Sequence, residues 1–174
     1  MGGHPSGHAR ARLGEPAGCG QPGGPILISR QNWSVSFDDL PEGWQKRPLT
    51  DPRLVADVLD LVVSDADRLA GGLAVLLCDE RGRLVQPGVI SELDFDSSEA
   101  ERSQMLSIFV TTLAPHFESI LFALARADGL SITADDQSWA RAVQHACRGE
   151  VRLLGFHLVT RDGSRLLPGT CTAA

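Results

Sequence analysis

Three apolar runs of strand length constrain this chain more than any other feature. Leu73 to Cys78 is continuous, Ile120 to Leu124 is too short for a buried helix and reads as a central strand, and Val151 to Thr160 is the longest. Between them the apolar residues recur at helical spacing instead. Strands and helices therefore alternate along the chain, which makes it an α/β domain.

The helical segments carry their own boundaries. Thr50-Asp51-Pro52 places a capping residue before a proline in the first turn, and Leu54, Val58, Leu61, Val62 and Leu69 then share one face. Asp57, Asp60, Asp67 and Arg68 point elsewhere, so the spacing predicts one amphipathic helix closed by Gly71-Gly72. Ser97-Ser98-Glu99 opens a second helix, with Met105, Leu106, Phe109, Val110 and Leu113 as its apolar set. Thr133 with Asp136 three residues on has the spacing of a capping box and opens a third, with Trp139, Val143 and Ala146 in register and Gly149 at its end.

Two hairpins complete the pattern. Asp79-Glu80-Arg81-Gly82 turns the first strand back into Leu84-Val85, which Pro87 is expected to stop. Asp162-Gly163 is the strongest hairpin signal, with a return strand through Leu166 and Leu167 to Pro168. The expected order is α-β-β-α-β-α-β-β, a mixed β-sheet flanked by helices. The run from Leu73 through Gly82 to Pro87 aligns without gaps on that from Leu154 through Gly163 to Pro168, so a helix-plus-hairpin unit occurs twice.

The organised domain spans 51–168. Residues 1–24 are rich in Gly, Pro, Ala, Arg and His and hold too few large apolar side chains to offset chain entropy, so a disordered head is expected. Residues 25–50, with the short apolar run Ile26-Leu27-Ile28 and the alternating Trp33, Val35 and Phe37, read as an irregular arm with room for one strand that packs Trp33 and Trp44 onto the domain, and 169–174 as a tail. With 43% hydrophobic and 22% charged residues the composition is globular. Net charge is −6, which gives no electrostatic case for nucleic acid. No apolar run is long enough to span a bilayer and the head lacks the apolar core of a signal peptide, so no membrane association and a cytoplasmic location are expected. An Ala, Gly and Arg bias, with Lys46 the only lysine, points to a GC-rich bacterial genome. Cys19, Cys78, Cys147 and Cys171 have no close spacing and read as reduced thiols.

Residues 120–163 carry a resemblance. Ile120-Leu121-Phe122-Ala123 forms a strand, Leu124-Ala125-Arg126-Ala127-Asp128-Gly129 follows it, Thr133-Ala134-Asp135-Asp136 opens a helix, and an apolar strand ends the unit. With the hairpins placed after the first helix and at the end, this resembles the JAB/MPN fold of metal-dependent isopeptidases, most closely its RadC branch. There the strand runs into His-x-His-Pro-Ser-Gly and the helix opens on Ser-x-x-Asp. The resemblance implies a zinc held by two histidines and an aspartate, with a glutamate near the first strand activating water. Asp136 matches the aspartate and Thr133 the hydroxyl residue. Leu124 and Arg126 stand at the two histidine positions, and Ala70 to Leu73 holds no acid. One ligand of three remains, so the resemblance implies a JAB/RadC-like domain with a relic metal site at Asp136 and Thr133. His4-Pro5-Ser6-Gly7 repeats part of the motif with no strand leading into it.

Other constellations are thinner. Arg126, Gly129 and Thr133 lie in a strand-to-helix loop whose amides could receive an anion, such as a nucleotide phosphate. His157 lies in the last long strand beside apolar neighbours and reads as a hydrogen-bonded, partly buried residue that a cleft could turn into a base. Asp65-x-Asp67 and Asp94-x-Asp96 lack the glycine and distant glutamate of a calcium loop. The expectation is a non-catalytic interaction or regulatory domain without cofactor or metal, with a protein partner or a second copy reached through an edge strand such as Leu84-Val85 or Arg165-Leu166-Leu167. A divergent metal-dependent hydrolase using Asp136, His157 and Arg126, or an anion sensor at 126–133, are the alternatives.

Overall fold

The computed structural model of the chain describes residues 28–29, 39–91, 93 and 96–170. The head, Cys19, Trp33, Asp94 and Cys171 lie outside the described residues. The strands are β1 Ile28–Ser29, β2 Gly72–Cys78, β3 Leu84–Ser91, β4 Ser119–Ala125, β5 Arg152–Thr160 and β6 Gly163–Leu166. The helices are α1 Pro52–Val62, α2 Asp65–Ala70, α3 Glu99–Leu113 and α4 Ala134–Cys147, preceded by a 3-10 turn at Trp44–Lys46. The strands form one mixed sheet in the order β1-β6-β5-β4-β2-β3. β4 runs antiparallel to β2 and parallel to β5, so β4-α4-β5 is a crossover unit with the hairpins β2-β3 and β5-β6 on either side of the central strand.

All seven residues of β4 are buried, and so are all seven of β2. Their side chains alternate between two cores. Ile120, Phe122 and Leu124 join Leu73, Val75, Leu77 and the inner faces of α3 and α4, among them Leu106, Val110, Trp139 and Val143. Leu121, Ala123 and Ala125 join Ala74, Leu76 and the inner face of α1, with Leu54, Val55, Val58 and Leu59. Helices thus cover the sheet on both sides, and the continuous apolar runs follow from that. Leu40, Trp44 and Leu49 of the expected arm also lie in the α1-side core, so this part of the arm belongs to the folded body. In β5 the register shifts by one residue, pairing Ile120 with Leu153 but Leu121 with Gly155. This bulge lets Leu153 and Phe156 face the same core.

Several expectations need correction. The first helix is two helices, because Val63 leaves helical geometry and Ser64 caps a new start, its side chain accepting from the Asp67 amide at 3.1 Å. Asp67 returns the contact to the Ser64 amide at 3.0 Å and also accepts from the Ser91 hydroxyl at 2.9 Å. The restart changes the helical phase, which leaves Leu69 exposed and turns Arg68 inward. Pro87 does not stop β3, which continues to Ser91 with Pro87 opposite Leu76. An edge strand tolerates proline because at most one ladder hydrogen bond is lost. On its outer side β6 is joined by β1 at two residues, Ile28 with Ser164 and Ser29 with Gly163, and β1 does not reach Arg165 or Leu166. Leu167 is a buried core residue, and among the described strands the two at the edges of the sheet are β3 and the two-residue β1. No helix among the described residues is long and apolar enough to cross a membrane.

The Ser64 cap sets the α1–α2 break, and its loss has a defined cost. Ser64→Ala is expected to lower stability by about 1 kcal/mol, read as a lower urea midpoint at unchanged slope.

Candidate functional site

The polar residues singled out in the sequence gather where β4 hands the chain to α4. The Arg126 amide donates to the Val159 carbonyl at 3.1 Å, which holds the strand exit against β5. The loop then runs to Thr133, whose side chain accepts from the Asp136 amide at 3.1 Å while Asp136 Oδ2 accepts from the Thr133 amide at 2.7 Å. The predicted capping box is therefore present with both halves. A further contact fastens the loop: Arg165 Nη1 donates to the Leu130 carbonyl at 3.1 Å.

Asp136 is 1% exposed, so its carboxylate is cut off from water and must find its partners in the protein. Arg126 supplies them. Its Nε donates to Asp136 Oδ1 at 3.1 Å and its Nη2 to Oδ2 at 3.0 Å, a bidentate pair. The same Nη2 donates to the Ser131 carbonyl at 2.7 Å. With the Thr133 amide, both carboxylate oxygens are satisfied and the guanidinium is locked, its side chain 15% exposed.

This arrangement bears on both sets of sequence-predicted residues. Of the positions that the JAB/RadC resemblance aligns with zinc ligands, Asp136 points at a guanidinium, Arg126 provides that guanidinium, and Leu124 is buried in the α3/α4-side core. A zinc held by two imidazoles and a carboxylate does not fit these residues: leucine offers no lone pair, and arginine is a donor that already carries the compensating charge. Among the described residues no group of three or more His, Cys, Asp or Glu side chains is arranged to hold a metal ion. Of the anion-site set of Arg126, Gly129 and Thr133, the Thr133 amide and two guanidinium nitrogens of Arg126 already donate to Asp136. Those two nitrogens, Nε and Nη2, are engaged by Asp136 and the Ser131 carbonyl.

His157 stands apart from this cluster. In β5, Phe156 and Leu158 face the α3/α4-side core, so His157 between them lies on the α1 side, paired with Ala123 across the ladder to β4. The sheet separates it from Asp136 on α4. It is 8% exposed, and its Nδ1 has no hydrogen-bond partner among the described residues, against the expectation of a hydrogen-bonded histidine. Burial pushes its pKa down to about 4, so it is neutral near pH 7. Burial likewise pushes the thiols of Cys78 and Cys147 up to about 12, which makes them inert apolar filling rather than nucleophiles. His145 is exposed on α4.

Two further buried arginines were not apparent as such from sequence. Arg68 donates to Asp60 at 2.7 Å and to Asp65 at 3.2 Å, pinning α2 to α1. Arg102 donates to Asp135 and to the Ser97 hydroxyl, with its guanidinium carbon 4.8 Å from the centre of the Trp139 ring. Asp65 and Arg68 have the i,i+3 spacing of a helical ion pair, which is the one sequence signal for either cluster. At the start of α3, Glu99 accepts from Ser138 at 3.0 Å and from Arg141 at 2.8 Å, joining α3 to α4.

Compared with known proteins, the chain matches no family model, and no curated protein aligns with it at a significant level.

Removing either member of the Arg126–Asp136 pair strands the other. Arg126→Ala is expected to lower stability by about 2–3 kcal/mol, since Asp136 keeps only its contacts with Thr133. The double variant Arg126→Met with Asp136→Asn should recover most of that loss in urea unfolding, because the amide retains the cap and no charge remains to be paired. His157 gives a pH dependence of fixed sign. Its folded pKa, about 4, lies below the ordinary value of 6.5, so the unfolded chain binds the proton more readily between those limits. Stability is full above pH 6.5 and declines as pH falls towards 4, a window above that in which carboxylates take up protons. Urea midpoints across this range should flatten in His157→Leu.

Proposed function

We propose that this chain is a non-catalytic α/β domain of JAB/RadC-like architecture in a bacterial cytoplasm, in which an internal ion pair stands where the enzymes hold their metal, and which works by contact with a protein partner or a second copy. The observation that carries the reading is the buried Asp136, matched by position to the family's metal-binding aspartate and engaged by the guanidinium of Arg126 from a position where the family has an imidazole. Exchanging a bound cation for a tethered one preserves the charge that a buried carboxylate requires while removing the open coordination position that hydrolysis needs. The order of elements from α1 to β6 and the parallel pairing of β4 with β5 are compatible with it.

Support for a contact role comes from β3. Its eight residues contain no charged side chain, Val85 is 59% exposed, and no described strand pairs with its outer edge. Edge strands are usually guarded by charge or proline, and Pro87 is the one such guard on this strand.

The family reading is tested by rebuilding the site. Leu124→His with Arg126→His should bind one equivalent of zinc per chain, measured on purified folded protein. The triple variant that adds Asp136→Ala should not, and neither should the wild type. Stoichiometric zinc on the wild type, lost in Asp136→Ala, would overturn the non-catalytic reading; a folded double variant that binds none would remove the support for the family. For the contact role, Val85→Lys should abolish self-association or partner binding, followed by sedimentation and cross-linking, at an unchanged urea midpoint. A wild-type protein that is strictly monomeric and binds no partner would sink that part of the proposal.

A further inference from the structure

No further inference is drawn: the strongest candidate, the cleft of about 340 Å³ between α4 and the residues following β6, lined by Ile132, Ala140, Leu167 and Pro168 together with Gln137, Arg141 and Gln144, is a mixed apolar and polar groove and nothing among the described residues shows what would fill it.

Discussion

Strand β4 has no face turned to water, and the architecture is a response to that constraint. Its backbone groups are satisfied by β2 on one side and β5 on the other, and its side chains enter two separate cores. A strand in that position needs helices above and below, because an uncovered face would leave Phe122 or Leu121 in solvent. α1 with the 3-10 turn before it closes one side, and the α3–α4 pair closes the other. The parallel β4–β5 pairing in turn demands a crossover, which α4 provides, and the crossover creates the loop where Arg126 meets Asp136.

Burial of arginine recurs as a fastening device. Arg68 and Arg102 are buried and Arg126 largely so, and each meets a carboxylate from another part of the chain: Asp60 across the α1–α2 break, Asp135 at the start of α4, and Asp136 one residue later. Two of the three converge on the first turn of α4. That turn already holds a capping box, and its exposed amides favour negative charge, so adjacent aspartates there are stabilised before any arginine arrives. The helix start then offers two anchor points, one for the β4 exit and one for α3, and Trp139 one turn on receives the face of Arg102. Such pairs fix geometry more than they add stability, since each charge forfeits its hydration on burial.

Much of this was legible in the residues. The long apolar runs became β2, β4 and β5, and Asp51-Pro52, Ser98 and Thr133 mark the true starts of α1, α3 and α4. These signals are local: a cap or an apolar run acts through neighbours a few residues away. The misreadings are those in which distant structure overrides a local rule. Ser64 with Asp67 three residues on has the same local spacing as Thr133 with Asp136. It sits, however, inside an apparently continuous helical pattern that masks it, and the Ser91 contact is what lies far along the chain. Pro87 reads as a terminator unless the strand is known to lie at an edge. The extra residue at Leu154 and the two-residue pairing of β1 have no sequence signature. At the site, the Thr133–Asp136 spacing was readable, whereas the bond from Arg126 to a residue ten positions away depends on how β4 and α4 are brought together.

The Arg126–Asp136 pair also makes this corner of the fold indifferent to its surroundings. The guanidinium is part of the polypeptide, so it has no off-rate. The charge of Asp136 is therefore matched from within the chain itself. One side chain thus ties together the strand exit, the loop and the first turn of the helix, so that the path of the chain from β4 to α4 is written in its own residues.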